Sequence, residues 1–241
     1  MLIRQFPTYN ELSRHTAEHI AACLRRKPDA TICLASGDTP TQTYRVLKQL
    51  TEENALDWQR CTFVGLDEWV GLGPDDEGSC TFYLYRDLFL PLGIRPDQIR
   101  FFNAKASDLV LECRLMDAFI AEHGGLDLLL VGIGMNGHIA LNEPGTSFSL
   151  YSHVVELDEV TKAVGQKYFL EETVLTRGIT LGLQHLMDAR EVILLANGAR
   201  KAAILRDALT GPVSEQLPAS ILQRHPNAHV WLDTDAAQLL P

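Results

Sequence analysis

No apolar run in this chain reaches the roughly 18 residues that cross a bilayer. The first residues, MLIRQFPTYNEL, lack the basic, apolar and small-residue regions of a secretory leader. No membrane partner is expected, and the cytoplasm is the expected compartment. Basic residues are also in short supply: 21 Lys and Arg face 31 Asp and Glu, a formal charge of −10. That balance disfavours nucleic acid as a partner, because a general binder needs a basic stripe to displace counterions. It leaves room for a small phosphorylated ligand, since a few backbone N–H groups and a pair of cations hold a phosphate even on an acidic protein. Cysteine is sparse and unpatterned. The five, Cys23, Cys33, Cys61, Cys80 and Cys113, include no CxxC pair, so all are read as reduced thiols rather than a disulfide or zinc framework. Internal repeats and low-complexity tracts are absent as well.

What is present is the profile of a globular chain: 241 residues, 46% hydrophobic and 22% charged. Residues 1–241 are read as one α/β domain. Thr8 and Glu11 have capping-box spacing, and Leu12, Ala17, Ile20, Ala21 and Leu24 then recur on one helical face until Lys27-Pro28. ATICLA (30–35), CTFVGL (61–66), LDLLLVGI (126–133), EVILLA (191–196) and HVWLD (229–233) read as buried strands, Cys33 and Cys61 among them. Helices are expected with Tyr44, Leu47 and Leu50, from Cys80 to Phe89, over 108–122 with Leu111, Leu115, Ala118 and Phe119 at helical spacing, and from about Lys201. Continuous apolar strands alternating with helices predict a mostly parallel, doubly wound, Rossmann-like sheet covered on both faces. Ligands bind such sheets beyond the C-terminal strand ends.

Four strand ends carry chemistry. SGDTPTQTY begins at Ser36, where Gly37 lets the backbone approach an anion, Thr39 offers a hydroxyl and Pro40 suits a helix start. The same residues also make a plain strand–turn–helix connection. Asp67-Glu68-Trp69 sets two carboxylates at a buried strand end, with side chains on opposite sides of an extended segment. One can face a substrate while the other caps or pairs; both can equally be capping acids. GIGMNGHIALNEPG (132–145) places His138 in a glycine-rich loop five residues before Glu143, with Asn136 and Asn142 close by. A histidine beside a carboxylate is a natural acid–base pair. NGARKAA (197–203) puts Lys201 in a first helical turn, against the helix dipole, where an anion would compensate it. An ordinary exposed lysine is the alternative.

Together these stretches resemble the glucosamine-6-phosphate deaminase family, within the larger group that includes 6-phosphogluconolactonases. The resemblance runs from SGDTP through FVGLDEWVGL and VGIGMNGHIALNEPG to RGITLGL, GARKAA and LPASILQRHP. DEW in place of DEY, and MNGH in place of NDGH, look closest to the galactosamine-6-phosphate branch. The resemblance implies ring opening by His138 oriented by Glu143, and proton transfer from C2 to C1 of a 2-amino-2-deoxyhexose 6-phosphate by Asp67. Ammonia and a ketose 6-phosphate are the products, with neither metal nor organic cofactor. The phosphate is expected on Ser36, Gly37 and Thr39, with Lys201 and Lys167 as cations; Lys167 stands where the glucosamine enzymes carry arginine. Asn136 replaces an aspartate of the ring-opening relay, so its part in catalysis is in doubt, or the relay is retuned for another epimer. Thr146, His153, Val155 and Glu156 occupy the effector region and make a poor anion site, so no activation by N-acetylglucosamine 6-phosphate is expected. Relatives are monomers or hexamers; a homo-oligomer stays open, and the short C-terminus points to a smaller assembly. A lactonase would follow GH with an ASLFP-like segment rather than ALNEP. A sugar-phosphate-sensing module, or an isomerase without deamination, are the other readings.

Overall fold

The computed structural model describes residues 1–53 and 56–241. In chain order the strands are β1 Leu2–Phe6, β2 Thr31–Leu34, β3 Thr62–Val64, β4 Asp67–Trp69, β5 Ile99–Arg100, β6 Leu128–Val131, β7 His153–Glu156, β8 Arg177–Thr180, β9 Val192–Ala196 and β10 Ala228–Asp233. The helices are α1 Tyr9–Arg26, α2 Asp38–Glu52, α3 Cys80–Leu84, α4 Leu90–Leu92, α5 Leu109–Glu122, α6 Glu159–Gly165, α7 Leu183–Asp188, α8 Ala202–Thr210 and α9 Thr234–Ala237. Seven strands form one sheet in the order β1-β10-β9-β6-β2-β3-β5, every pair parallel. From β2 the chain winds outward to β3 and β5, then returns to β6 on the other flank of β2 and proceeds to β9 and β10. The winding reverses between β2 and β6, and a crevice opens there.

Period-two alternation explains why the strands read as unbroken apolar runs. Leu128 and Leu130 of β6 pack with α1 and α2, while Leu129 and Val131 point to the opposite layer with Met116 and Leu205. All four are at most 1% exposed, so truncating one to alanine would cost about 2–5 kcal/mol. The expected face of α1 holds: Leu12, Ala17, Ile20, Ala21 and Leu24 are buried, and the Thr8 hydroxyl accepts from Glu11 N at 3.2 Å.

Several expectations need correction. The segment expected as one helix from Cys80 to Phe89 is α3, then a π-turn over Tyr85–Phe89, then α4. In α5 the inward residues are Cys113, Met116 and Ile120; Leu111 and Leu115 are 49% and 47% exposed. Apolar residues fall on both the inner and the outer face of this helix, so periodicity alone does not fix its phase. Buried Glu112 fixes it, by accepting from Arg100 Nη2 at 2.8 Å and Asn103 N at 2.9 Å. The strand expected over 61–66 ends at Val64. After it the chain enters a second, antiparallel sheet, β4-β8-β7, which roofs the crevice and rests on Trp69, Leu141, Leu157 and Leu175.

Candidate active site

A cleft opens at the β2/β6 reversal. Its walls include Ser36, Gly37 and Thr39 after β2, Gly132 to Met135 and His138 after β6, Asp67 of β4, and Lys167 and Tyr168 after α6. Candidates spread over some 130 residues of chain thus meet around one space.

Gly37 has φ 105°, a conformation costly for any side chain, and an added Cβ would lie 2.9 Å from the Tyr168 hydroxyl. The turn it makes starts α2, whose first-turn N–H groups face the cleft end where Thr39 stands.

Asp67 and Glu68 divide as alternation requires. Glu68 is fully buried and turns away from the cleft. Its Oε1 accepts from Trp69 N and Cys80 N, both at 2.9 Å; its Oε2 accepts from Thr81 N at 2.8 Å and Thr81 Oγ1 at 2.6 Å. Three donors at the start of α3 and one from Trp69 of β4 satisfy a buried carboxylate. Asp67 faces the cleft, 9% exposed. Burial pushes its carboxyl from 3.8 up to about 6; a Cys80 hydrogen bond pulls it down, Glu68 pushes it up and His138 pulls it down. Pairing with Thr180 of β8 fixes its backbone.

His138 stands over Gly134. A Cβ on Gly134 would lie 2.4–2.5 Å from the imidazole, so only glycine leaves room for the ring. A tight turn then brings Glu143 back. Asn142 closes it through N and Nδ2 to Ile139 O and ties it to Leu181 O at 2.9 Å. Ala140 within it is left-handed at φ 54°, a conformation with a cost of about 1–3 kcal/mol. Glu143 Oε2 ends 3.4 Å from His138 Nδ1 and accepts from Asn136 Nδ2 at 2.8 Å. Burial raises the Glu143 carboxyl, but hydrogen bonds and charge from His138, then Thr161 and Asn136, outweigh it and hold the group below its ordinary value.

The two lysines differ. Lys167 lines the cleft mouth, with its ammonium 2.7 Å from Asp38 Oδ2 and 4.7 Å from the Tyr168 ring centre. Lys201 is not on the cleft wall: its Nζ donates to Ile133 O at 2.6 Å, from behind the β6 loop. Burial, then the charge of Lys167, lowers it to about 8. The expected cation is therefore adjacent to the cleft but committed to a carbonyl.

Three residues of the site escaped the sequence reading. Thr161 of α6 lies 3.0 Å from His138 Nδ1, Cys80 hydrogen-bonds Asp67, and Tyr168 covers Gly37. None has a local motif; each arrives by packing from another element. The other family stretches serve as scaffold. A Cβ on Gly178 would strike Leu141, and Ala219 N donates to Gly137 O at 2.9 Å. All five cysteines are free and buried. Among the described residues no group of three or more His, Cys, Asp or Glu could hold a metal ion, and no helix is long and apolar enough to cross a membrane.

A switch-point cleft in an α/β fold with a buried carboxyl, a histidine–carboxylate pair and a helix-start loop has groups suited to acid–base work on a small anionic ligand. The family model for glucosamine-6-phosphate isomerases/6-phosphogluconolactonase matches residues 7–231, and the chain belongs to that enzyme family. It is 39% identical to glucosamine-6-phosphate deaminase 1 of Bacillus subtilis (strain 168) over the full length of both chains. It is 38% identical to a glucosamine-6-phosphate deaminase of Geobacillus sp. (strain WCH70), covering 100% of this chain and 96% of that one. A solved monomeric glucosamine-6-phosphate deaminase superposes with TM-score 0.96 at 39% identity, covering 99% of this chain and all of that one. The 6-phosphogluconolactonase of Trypanosoma brucei shares the fold, with TM-score 0.77 at 21% identity and coverage of 100% and 98%. The galactosamine branch expected from Trp69 and Asn136 has no support in these relatives, which carry the glucosamine name.

Proposed function

We propose that the chain deaminates and isomerises glucosamine 6-phosphate to a ketose 6-phosphate and ammonia. The observation that carries this reading is the meeting of Asp67 and His138 on one cleft with the anion-suited loop Ser36–Thr39. In the proposed course the phosphate rests on Ser36, Gly37 and Thr39, with Lys167 turning to it from Asp38. Lys201 contributes its field from behind the β6 loop rather than a direct contact. His138, oriented by Glu143, moves a proton between the anomeric hydroxyl and the ring oxygen to open the sugar. The aldehyde acidifies the C2 proton, which Asp67 removes. Asp67 returns it at C1 of the enolamine, water adds at C2 and ammonia leaves. A carboxyl near pH 6 is well matched to a base at neutral pH. Asn136 serves as a neutral donor that holds Glu143, not as a proton carrier. These residues need no metal or organic cofactor for the steps named.

Glucosamine 6-phosphate is favoured over its galactosamine epimer by the relatives alone. The lactonase reading is disfavoured by the same relatives, since the lactonase shares the fold at only 21% identity. A coupled ammonia assay on both hexosamine 6-phosphates, with acid release from 6-phosphogluconolactone in parallel, tests the proposal. Ammonia from glucosamine 6-phosphate is expected; acid from the lactone with no ammonia would overturn it.

A further inference from the structure

Thr161 is 3% exposed on α6, 23 residues beyond His138. Its Oγ1 lies 3.0 Å from His138 Nδ1 and accepts from Asn136 Nδ2 at 3.5 Å. Glu143 itself stands farther from Nδ1, at 3.4 Å. The hydroxyl has one proton, and an ionised carboxylate can only accept. Nδ1 therefore faces a carboxylate oxygen as well as the hydroxyl, and a hydrogen on Nδ1 suits both. The Thr161 hydroxyl accepts from it with a lone pair, so Nδ1 carries the hydrogen and donates. The Asn136 amide supplies the remaining donors, to Glu143 at 2.8 Å and to the second lone pair of Thr161. A bare Nδ1 would instead set its lone pair against the Glu143 carboxylate 3.4 Å away. In the neutral ring Nε2 is then unprotonated, and it is the nitrogen not engaged by the buried network.

We propose that Thr161 is a positioning residue that fixes His138 as its Nδ1–H tautomer, so that Nε2 is the proton acceptor offered to the anomeric hydroxyl of the sugar. The proposal rests on the reading of His138 as the ring-opening group. Nε2 takes the proton of the C1 hydroxyl as the carbonyl forms. The C1–ring-oxygen bond breaks, its electron pair goes to the ring oxygen, and that oxygen receives the proton from Nε2. The imidazolium formed in between is stabilised by Glu143, 3.4 Å from Nδ1, and by the Thr161 hydroxyl that accepts from Nδ1. Asn136 cannot take this part, because its side-chain oxygen accepts from His138 N and its amide nitrogen is only a donor.

The test compares the wild type with Thr161→Val and Thr161→Ser, and reads the His138 tautomer from imidazole nitrogen shifts in alkaline buffer. Thr161→Val is expected to lower kcat at least about tenfold, while KM for glucosamine 6-phosphate stays within about twofold. Serine, which keeps the hydroxyl, is expected to restore kcat to within about threefold of wild type. A Thr161→Val enzyme with wild-type kcat, or a serine variant as slow as valine, would overturn the proposal. An active wild type whose neutral His138 carries its hydrogen on Nε2 would overturn it alone, leaving the functional reading in place. A wild type with the Nδ1–H tautomer that releases no ammonia would overturn the functional reading and the proposal with it. If the valine variant does not fold, the serine variant and the wild-type nitrogen spectrum still decide.

Discussion

Replacing Asp67 with asparagine should remove activity while making the protein more stable at neutral pH. Burial lifts the Asp67 carboxyl from 3.8 to about 6, against the lowering effects of Cys80 and His138. Between those values the unfolded chain gives up its proton while the folded chain keeps it, so unfolding is favoured as the pH rises. The loss is about 1.4 kcal/mol for each pH unit in that interval, or about 3 kcal/mol by pH 7. Below 3.8 both states are protonated and the loss vanishes. Asparagine has similar size and no such ionisation. Urea denaturation of both proteins across pH 4 to 8 should therefore show Asp67→Asn ahead by about 3 kcal/mol near neutrality, converging as the pH falls toward 3.8. The same variant should bind sugar phosphate and release no ammonia. A variant less stable than wild type at pH 7, or a difference that does not change with pH, would refute the view that Asp67 is held in the cleft at the expense of stability.

Gly134→Ala would place a Cβ 2.4 Å from His138 Nε2; kcat should fall at least about tenfold with the folded state retained, as read by steady-state kinetics and circular dichroism. Lys167→Ala should raise KM about tenfold, equivalent to about 1.4 kcal/mol of binding, with little change in kcat; an unchanged KM would remove Lys167 from the phosphate site. Asn136→Asp replaces the 2.8 Å donor to Glu143 with a second carboxylate. It should cost about 1–3 kcal/mol at neutral pH, recovered on acidification as one of the pair protonates; thermal melts at pH 7.5 and 5 check this. N-acetylglucosamine 6-phosphate should leave the rate curve unchanged, because β7 offers Val155 and an exposed Glu156 where an effector phosphate needs cations.

The main sheet was legible because its inner strands are buried on both faces, and unbroken apolar runs such as LLLV and VILLA signal that without further information. The edge strand β1 was not, since Leu2 and Ile3 are 67% and 45% exposed and only Phe6 is buried. Nor was the small antiparallel sheet, whose strands are three or four residues long and take their register from each other. In the candidate site, Asp67, His138, Glu143 and the Ser36–Thr39 loop could be singled out because each follows a buried strand at the end where ligands bind. Thr161, Cys80 and Tyr168 lie at helix starts or short turns with no pattern of their own, and only packing brings them to the cleft. The same limit applies to Lys201: its place in a first helical turn was visible, but not the Ile133 carbonyl that claims it.

The central claim is that one carboxyl carries a proton between neighbouring carbons of the opened sugar. Turnover of glucosamine 6-phosphate in heavy water, with the product read by proton NMR, tests it most directly. In the wild type, one stereospecific position of C1 in the ketose 6-phosphate should receive either the hydrogen carried from C2 or deuterium exchanged onto the carboxyl, and Asp67→Asn should give neither label nor product. Deuterium spread over both positions of C1, or C1 labelling that survives loss of the Asp67 carboxyl, would contradict it.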